Sequence, residues 1–427
     1  IESPPSLQSL GQSLARFPAV PTEMQLYLQQ LDNSIRTLRR DDLVEFIVAD
    51  LGDAVMKEYS IEFSDTILAE ATIGAVIKAS FQEPGHEARQ LAVCKVIKPN
   101  SVTALTEELE ILDGIVEYFE TNGHTYDIGD VPLTQMFQDA RNALEQEVQV
   151  VEEQSNLARA YEYYRDNPEV EVPEVYDFST ENVTFMEFMR GGKITDAFPG
   201  DSLSRARLAK SLGQIMTIDV IFSPSEKAIF HGDPHAGNVF SIDDPEHPYK
   251  IGLLDWGLCG ELGKEQREKL IQLILGLKLG NTKRIANNVD ALLDEPIPET
   301  PENAQFRQTL ADKTIELPNE KLDYFQILGG LVADLAREGF VLDFNLALFI
   351  KAQVTITGIL QELDPSYNRG EELFAWVQGE VSREVPKRLL YTIYFPKWTS
   401  HDYRTMLSNE DVKDVQVKSI GRGFAKF

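Results

Sequence analysis

Apolar positions in the first half of the chain follow both helical and strand spacing. Over 41–59 they recur every three or four residues, which predicts a helix whose apolar face holds Leu43, Phe46, Ile47, Leu51 and Val55. Residues 72–80 alternate apolar with small or polar side chains, and residues 90–97 are rich in β-branched ones. With the turn signal Pro84-Gly85 between them, these two segments predict a β-hairpin.

Further elements follow from the same spacing rules. Helices are predicted over 22–31, 105–119 and 133–165, and strands over 170–178 and 182–189. In the second half helical spacing dominates, over 202–222, 263–279, 283–293, 321–338 and 343–362, with a strand-like pair around 229–240 and 250–254. The pattern predicts an α+β protein with a strand-rich first half and a helix-rich second half.

The breaks between these patterns predict the domain organisation. Gly191-Gly192 interrupts the chain as a hinge between two lobes would. We therefore expect an N-terminal helical extension over 1–60, a strand-containing lobe over 61–190 and a helical lobe over 191–427.

Composition excludes several classes of protein. The 427 residues are 43% apolar and 26% charged, which is typical of globular domains and not of disordered or fibrous chains. A formal net charge of −29 repels phosphate backbones and anionic lipid heads, so no nucleic-acid partner is expected. Two cysteines cannot form a disulfide framework and favour a reducing compartment such as the cytoplasm or an organelle matrix. No uncharged apolar run approaches the length of a membrane span, so none is predicted.

The clearest candidate chemistry is the string His231-Gly-Asp-Pro-His-Ala-Gly-Asn238, followed by Asp255-Trp-Gly after an apolar strand. An Asp, an Asn five positions later and a second Asp after a strand form the arrangement that phosphoryl transfer uses. Asp233 would orient or deprotonate the attacking oxygen. Asn238 and Asp255 would supply oxygen ligands to Mg²⁺, and Gly257 would let the backbone turn.

Zinc is an alternative that the two histidines of this string raise. His231 and His235 are four residues apart, but Asp-Pro and Ala-Gly between them resist a helix, and no third ligand is evident. We expect His231 to pack beneath the loop and fix its shape instead.

A kinase-type site also needs a lysine for the nucleotide phosphates and an acidic partner for that lysine. Lys95 lies inside the apolar segment Leu91–Val96, where a buried cation requires an anionic partner. Glu153, on the long helical pattern, is the predicted partner, although several other glutamates lie nearby. The loop over 69–76 has one glycine, so its spacing alone does not predict a phosphate-binding loop.

Two features argue against an ordinary protein kinase under phosphorylation control. Gly232 stands where many protein kinases carry an arginine that reads a phosphorylated activation loop, and the chain after Gly257 passes almost directly into a helical pattern. No long activation segment is therefore predicted.

Taken with these residues, the chain resembles the UbiB (AarF) family of atypical protein-kinase-like proteins, which is tied to coenzyme Q and other isoprenoid-quinone metabolism. The resemblance covers the Gly11-Gln12 segment, the Ala-rich loop over 69–76, the segment Val93–Val96, the segment Glu147–Asn156, and the two motifs at 231–238 and 255–257. It implies a bilobal protein-kinase-like fold, nucleotide binding with slow ATP hydrolysis, and Mg²⁺ as cofactor.

The resemblance also assigns roles to residues. Lys95, Glu153 and Asp233 would be catalytic, and Asn238 and Asp255 would bind the metal. The loop residues Ala71, Thr72, Gly74 and Val76, together with Lys95, would bind the nucleotide, and Glu187 and Met189 would meet adenine through the hinge strand. Gly11, Gln12, Glu147 and Gln149 would form a regulatory segment. The acceptor would be a small-molecule or lipid-like substrate, with peripheral membrane or biosynthetic-complex association.

The chain departs from the family pattern at four positions. Ser9 replaces the lysine of the Gly-Gln signature, and Gln149 replaces an aspartate. Glu70 and Ala75 stand in the Ala-rich loop where alanine and glutamine are usual. Because a cation and an anion of one cluster are both missing, the sequence suggests a weakened inhibitory contact.

Two other functions remain open from the residues. A small-molecule phosphotransferase of the aminoglycoside or choline kinase type shares the His-Gly-Asp-x₄-Asn string, and the acidic charge would suit a cationic substrate. A nucleotide-binding scaffold without turnover is the third reading.

Overall fold

The protein is described by a computed structural model that covers 38–70, 73–98, 148–316, 323–394 and 397–424, with scattered residues between 105 and 145. The predicted helix over 22–31 lies outside the described residues, as do most of the positions in 133–147 of the helix predicted over 133–165, and Ser9, Gly11, Gln12, Ala71, Thr72 and Glu147. The chain forms two compact units that interleave along the sequence. The first contains the described part of 1–162 with 173–189 and 255–258, and the second contains 163–172, 190–254 and 259–427.

The first unit is built on a four-stranded antiparallel sheet. Its strands are β1 (Glu62–Glu70), β2 (Gly74–Gln82), β3 (Arg89–Ile97) and β5 (Val183–Glu187), in the order β1-β2-β3-β5. The predicted hairpin is β2 and β3, and its register pairs Val76 with Lys95. Strand β1 was not predicted, because its exposed and half-buried positions do not alternate regularly.

A helix is predicted over 41–59, and the structure has helix α1 (Arg40–Glu58) there, with a kink at Gly52 where φ is 81°. This helix packs on one face of the sheet. Leu43, Ile47 and Leu51 are buried on it at intervals of four residues. They pack against the alternate side chains of β2 and β3 that face the same way, among them Ile77 and Cys94. Burial of one sheet face leaves the intervening residues, Lys95 included, on the opposite face.

Helix α2 (Val150–Tyr164) begins after a turn at 148–149, so the single helix predicted over 133–165 is interrupted there. Val150, at its start, is buried with Ile73, Ile97, Leu105 and Leu109 in a small cluster of its own. The first turn of α2 is therefore held near the ends of β2 and β3.

The second unit contains two small sheets. One has the order β4-β9-β8-β6, from β4 (Val170–Glu171), β6 (Gly191–Lys193), β8 (Val239–Ile242) and β9 (Ile251–Leu253), and the other pairs β7 (Lys227–His231) with β10 (Cys259–Gly263). The predicted strand over 170–178 is wrong beyond Glu171. Pro173 lacks the N–H that a continuing ladder would need.

Helices form the rest of the second unit. Those predicted are α3 (Ser202–Gly213), which continues through a π-helical turn (Gln214–Ile218) into α4 (Asp219–Ile221), α5 (Lys264–Leu279), α6 (Thr282–Asn288), α8 (Tyr324–Arg337) and α9 (Phe344–Leu363). Those not predicted are α7 (Pro301–Glu316), α10 (Arg369–Ile393) and α11 (Asn409–Phe424). Pro386 lies inside α10, although a proline normally indicates that a helix ends before it.

Helix α9 runs through the core of this unit. Among the described residues it is the one helix that is long and apolar enough to span a membrane by length and composition. Phe349, Ile350 and Ile356 are fully or almost fully buried, and 61% of its most apolar window is buried inside the protein. Such burial is typical of a core helix.

Candidate functional site

Lys95 carries the best-defined polar contact of the first unit. Its neighbours Cys94 and Val96 point into the core, so the pleat sends Lys95 to the other face of the sheet. There its Nζ lies 2.7 Å from Oε1 and 2.8 Å from Oε2 of Glu153 on α2. The ion pair predicted between Lys95 and Glu153 is therefore present. The Glu153 side chain is 9% exposed, which makes this a desolvated contact.

Asp255 is the third member of this cluster. Its Oδ2 lies 3.4 Å from Nζ of Lys95, and its side chain is 48% exposed. The backbone of Asp255 has φ of 58°, a left-handed conformation that costs a non-glycine residue about 1–2 kcal/mol. Such strain is common where a side chain has to be aimed in one direction. Oδ1 of Asp255 accepts from the N–H of Gly257 at 3.4 Å.

The charges of this cluster shift one another's pKa values. Burial lowers the pKa of Lys95, but Glu153 and Asp255 more than offset it, so the pKa lies above its ordinary value. Burial raises the pKa of Glu153, Lys95 opposes the rise, and Asp255 adds to it. Because the pKa of Lys95 is raised, its cation is retained throughout the neutral range. A retained, partly exposed cation beside an exposed carboxylate can bind a phosphate group and a metal ion together.

Gln154 holds α2 in place and was not identified from the sequence. Its Nε2 donates to the hydroxyl of Thr184 at 2.9 Å and to the carbonyl of Thr180 at 2.8 Å. Thr184 is the residue that pairs with Lys95 in the β3–β5 ladder. Thr184 is thus the ladder partner of Lys95 and also the hydrogen-bond partner of Gln154, the residue next to Glu153. No sequence signal marks such a residue, since a glutamine in a helix is usually solvated.

The segment 231–238 forms a loop between β7 and β8 in the second unit. His231 is fully buried, and its Nδ1 accepts from the N–H of Asp233 at 3.2 Å. Nδ1 is therefore unprotonated, and Nε2 donates to the carbonyl of Leu254 at 2.7 Å. His231 packs beneath the loop as predicted, and the described residues contain no group of three or more His, Cys, Asp or Glu that could hold a metal.

Asp233 and Asn238 are presented by this loop. Nδ2 of Asn238 donates to the carbonyl of Asp233 at 3.1 Å, so the amide oxygen of Asn238 is the group left for a cation. The Asp233 carboxylate is 45% exposed, with Nε2 of His235 at 3.9 Å. The carbonyl of Asn238 accepts from the N–H of Leu254 at 2.9 Å, and Asp255 is the next residue along the chain.

The base of the Ala-rich loop is closed by an ion pair that the sequence did not reveal. Glu70 at the end of β1 lies 2.8 Å from Nζ of Lys98, and the two side chains are 6% and 16% exposed. The N–H of Lys98 also donates to the carbonyl of Ile73 at 2.8 Å. At the start of β2, a Cβ on Gly74 would come 3.3 Å from the carbonyl of Val96, a tight contact that the glycine avoids. The loop positions 71–72 are thus flanked by fixed residues.

Four other residues of the predicted site lie in the first unit: Val76, Gln149, Glu187 and Met189. The N–H of Glu187 donates to the carbonyl of Glu174 at 2.9 Å, so adenine would have to use other backbone groups of this strand. Met189 is buried, and Val76 is half-buried on β2. Gln149 is exposed, and its carbonyl accepts from the N–H of Glu153.

A mixed α/β fold with a strand lysine paired to a helix glutamate, and with the loop motif at 231–238, defines a kinase-like protein. A model of the ABC1 atypical kinase-like domain matches residues 30–289, more than half of the chain. The protein therefore belongs to the ABC1 family, and the predicted UbiB (AarF) resemblance is confirmed.

Two curated relatives show how far the similarity extends. Protein ACTIVITY OF BC1 COMPLEX KINASE 7, chloroplastic, of Arabidopsis thaliana is 27% identical over 85% of this chain and 51% of its own length. The probable protein kinase UbiB of Cronobacter sakazakii is 24% identical over 78% of this chain and 60% of its own length. The chain thus spans only about half to three fifths of these two relatives.

Solved structures support the fold. A structure described as the complex of Rv3197 with erythromycin from Mycobacterium tuberculosis has a TM-score of 0.52. It shares 18% identity, over 83% of this chain and 87% of that one. At this identity the likeness shows the fold alone.

Proposed function

We propose that the protein is an ATP-binding, Mg²⁺-dependent atypical kinase or ATPase of the UbiB type. The observation that carries the proposal is the cluster of Lys95, Glu153 and Asp255, in which a buried carboxylate fixes a cation beside an exposed carboxylate. Membership of the ABC1 family supports it. A structural ion pair would not require a third, strained acidic residue at 3.4 Å.

Each residue has a defined part in this proposal. Lys95, held by Glu153, binds the nucleotide phosphates and stabilises charge on the transferring group. Asp233 orients the attacking oxygen and accepts its proton. The fixed loop base at Glu70 and Lys98 positions the segment that covers the nucleotide.

The donor atoms of Asn238 and Asp255 fit magnesium. An amide oxygen and a carboxylate are the hard oxygen ligands that Mg²⁺ takes in small number, the remainder coming from phosphates and water. The bound ion would neutralise phosphate charge. The protein's own contribution is to hold these two oxygens, one through the Asn238–Asp233 hydrogen bond and one through the left-handed backbone of Asp255.

We further propose that the reaction serves a small lipophilic metabolite, such as an isoprenoid quinone. Three outcomes with labelled ATP separate this from the alternatives. Phosphate release without added substrate supports the UbiB-type reading, and label transfer to an amine or alcohol metabolite supports a small-molecule phosphotransferase. Binding of Mg-ATP without turnover supports a scaffold.

The first prediction concerns the metal ligand. Asp255→Asn should lower Mg²⁺-dependent ATP affinity by at least tenfold, because the carboxylate charge that attracts the ion is lost. Isothermal titration with and without Mg²⁺ measures this. Asp53→Asn, an exposed aspartate on α1, is the matched control and should bind as the parent does. Unchanged affinity in the Asp255 variant would remove the metal assignment.

The second prediction concerns the lysine. Lys95→Ala should lower ATP turnover by about 10²-fold, since it removes charge aimed at the transferring group. Lys57→Ala, at an exposed position of α1, should leave turnover unchanged. Because Lys95→Ala leaves Glu153 buried without its cation, the double variant Lys95→Ala/Glu153→Ala shows whether inactivity persists in a stable fold. Activity of the double variant within a few-fold of the parent would refute the role.

A further inference from the structure

A second histidine, His235, lies in the loop 231–238, two residues after Asp233. Its side chain is 53% exposed and that of Asp233 is 45% exposed, whereas His231 is fully buried. Nε2 of His235 lies 3.9 Å from Oδ2 of Asp233. A molecule that reaches the Asp233 carboxylate from solvent therefore also meets the His235 ring.

The loop holds the His235 ring in one orientation. Its Nδ1 accepts a hydrogen bond from the N–H of Gly237 at 3.0 Å. A Cβ at position 237 would come 2.8 Å from Cε1 and 3.0 Å from Nδ1 of the ring, so the glycine leaves room for it. The backbone is held as well, because the N–H of His235 donates to the carbonyl of Asp233, and its carbonyl accepts from the N–H of Asn238. The ring position is thus built into the loop.

The hydrogen bond from Gly237 also assigns the proton of the ring. Because Nδ1 accepts, it carries no hydrogen, and the neutral ring has its N–H at Nε2. The 3.9 Å between Nε2 and the Asp233 carboxylate is too long for a direct hydrogen bond. A gap of this size is bridged by a single oxygen atom that lies about 2.8 Å from both groups.

We propose that His235 is a catalytic residue that contacts the attacking atom and selects oxygen over nitrogen, which rests on the proposed phosphoryl transfer at Asp233. The attacking atom accepts a hydrogen bond from Nε2 of His235 and donates its own hydrogen to Asp233. Its remaining lone pair is then directed at the γ-phosphorus of ATP. The new phosphorus–oxygen bond forms as the bond to the β,γ-bridging oxygen breaks. ADP leaves with that electron pair, and the proton of the attacking atom passes to Asp233.

The number of lone pairs on the attacking atom decides which acceptors fit. A hydroxyl group or a water molecule has a hydrogen to donate and two lone pairs, one for His235 and one for phosphorus. A neutral amine has a single lone pair, which the attack on phosphorus uses, so it cannot also accept from His235. The site therefore takes water or an alcohol as the acceptor and excludes amines.

Two substitutions separate this role from a structural one. His235→Asn keeps an acceptor for the N–H of Gly237, as in an Asx-turn, but has no atom at the Nε2 position. His235→Gln reaches the Nε2 position with an amide N–H. We expect His235→Asn to lower kcat about tenfold with the KM for ATP unchanged, and His235→Gln to stay within about threefold of the parent. A purely structural histidine would give the opposite order, since His235→Asn preserves the turn.

Gly237→Ala gives an independent check. Its added methyl group occupies the space of the ring, so kcat should again fall about tenfold. Combined with His235→Asn it should add little further loss, because the ring is already absent. His86→Asn, which changes a histidine that is 70% exposed in the β2–β3 turn, is the control and should leave kcat unchanged. Circular dichroism and melting curves establish that each variant is folded.

A matched pair of small nucleophiles tests the selection of oxygen. Trifluoroethanol and trifluoroethylamine differ only in the attacking group, and both are uncharged in mildly alkaline buffer. When the parent chain turns over ATP in the presence of either compound, phosphorus NMR should detect inorganic phosphate or a phosphate ester and no phosphoramidate.

The possible failures point to different claims. A kcat of His235→Asn equal to that of the parent, or a kcat of His235→Gln no higher than that of His235→Asn, would overturn the role of His235. A phosphoramidate formed from trifluoroethylamine would overturn the selection of oxygen. Absence of Mg-ATP turnover by the parent chain would instead refute the proposed function, and this inference with it.

Discussion

At the scale of single residues, Glu70 departs from the UbiB-like loop pattern and acquires a partner. The chain supplies Lys98 at 2.8 Å from it, and both side chains are largely buried. An unpaired charge at either position would be costly, so the two residues have to be present together. A residue that looks like a loop substitution in the sequence is half of an ion pair in the fold.

This pairing gives the third prediction. Glu70→Gln should lower the free energy of unfolding by about 3 kcal/mol, because it leaves Lys98 poorly compensated. Glu70→Ala/Lys98→Met should recover most of that loss, since removing both charges of a buried pair is often nearly neutral. Urea unfolding of the single and double variants measures the coupling. Additive losses would show that the two residues act independently.

At the scale of elements, the placement of α2 depends on contacts that its own sequence does not predict. Its amphipathic pattern predicts a helix, and Glu153 follows from the need for an acidic partner of Lys95. The helix rotation that aims Glu153 at Lys95 is set instead by Gln154 and by Val150 in its apolar cluster. Position on the helix is therefore a tertiary property.

The fourth prediction tests this placement. Gln154→Ala should cost about 1–2 kcal/mol of stability, because Thr184 is 1% exposed and loses its hydrogen-bond partner. It should also raise the KM for ATP several-fold, since Glu153 is no longer held toward Lys95. Glu152→Ala, on the exposed side of the same turn, should change neither quantity. A normal KM for ATP in the Gln154→Ala variant would show that Lys95 and Glu153 form their ion pair without the help of Gln154.

Prediction of the elements succeeded where one apolar face repeats and failed where it does not. Helix α1 and the β2–β3 hairpin are predicted by such repeats, and α9 is predicted by its long run of mostly apolar residues. Helices α7 and α11 are largely polar, and α10 contains Pro386. Their stability comes from packing on the second unit's core, which local pattern rules do not describe.

At the scale of the whole molecule, the core of the second unit contains a buried polar network. Arg369 is 2% exposed and donates to Asp323, to the backbone and side chain of Gln353, and to Thr357. Burial lowers the pKa of Arg369, and Asp323 offsets part of that effect. Gln353 in turn accepts from Thr217 at 2.6 Å, in the π-helical turn after α3. The network therefore joins α8, α9 and α10 to that turn.

The fifth prediction follows from this network. Arg369→Met should lower the free energy of unfolding by about 3–5 kcal/mol, because the Asp323 carboxylate loses its buried cation. Arg337→Met is the matched control. Its side chain is 72% exposed, so the loss of its ion pair with Asp334 should cost less than about 0.5 kcal/mol. Equal urea unfolding midpoints for the two variants would contradict the stabilising contribution that we assign to the Arg369 network.

The sequence by itself determined the fold class and the candidate residues for chemistry. Lys95, Glu153, Asp233, Asn238 and Asp255 were all identified from residue type, spacing and family resemblance, because hard oxygen ligands and a strand lysine are specific requirements. Their catalytic and metal-binding roles stay predictions.

Only the tertiary structure decided which supporting residues fix those groups. Gln154, Lys98 and Arg369 have no local signature, since glutamine, lysine and arginine are solvated in most helices and loops. The same holds for the exposed face of α10, which a linear pattern does not distinguish from a core helix. Spacing along a chain reports one element's faces, whereas burial and partner choice depend on residues far away in sequence.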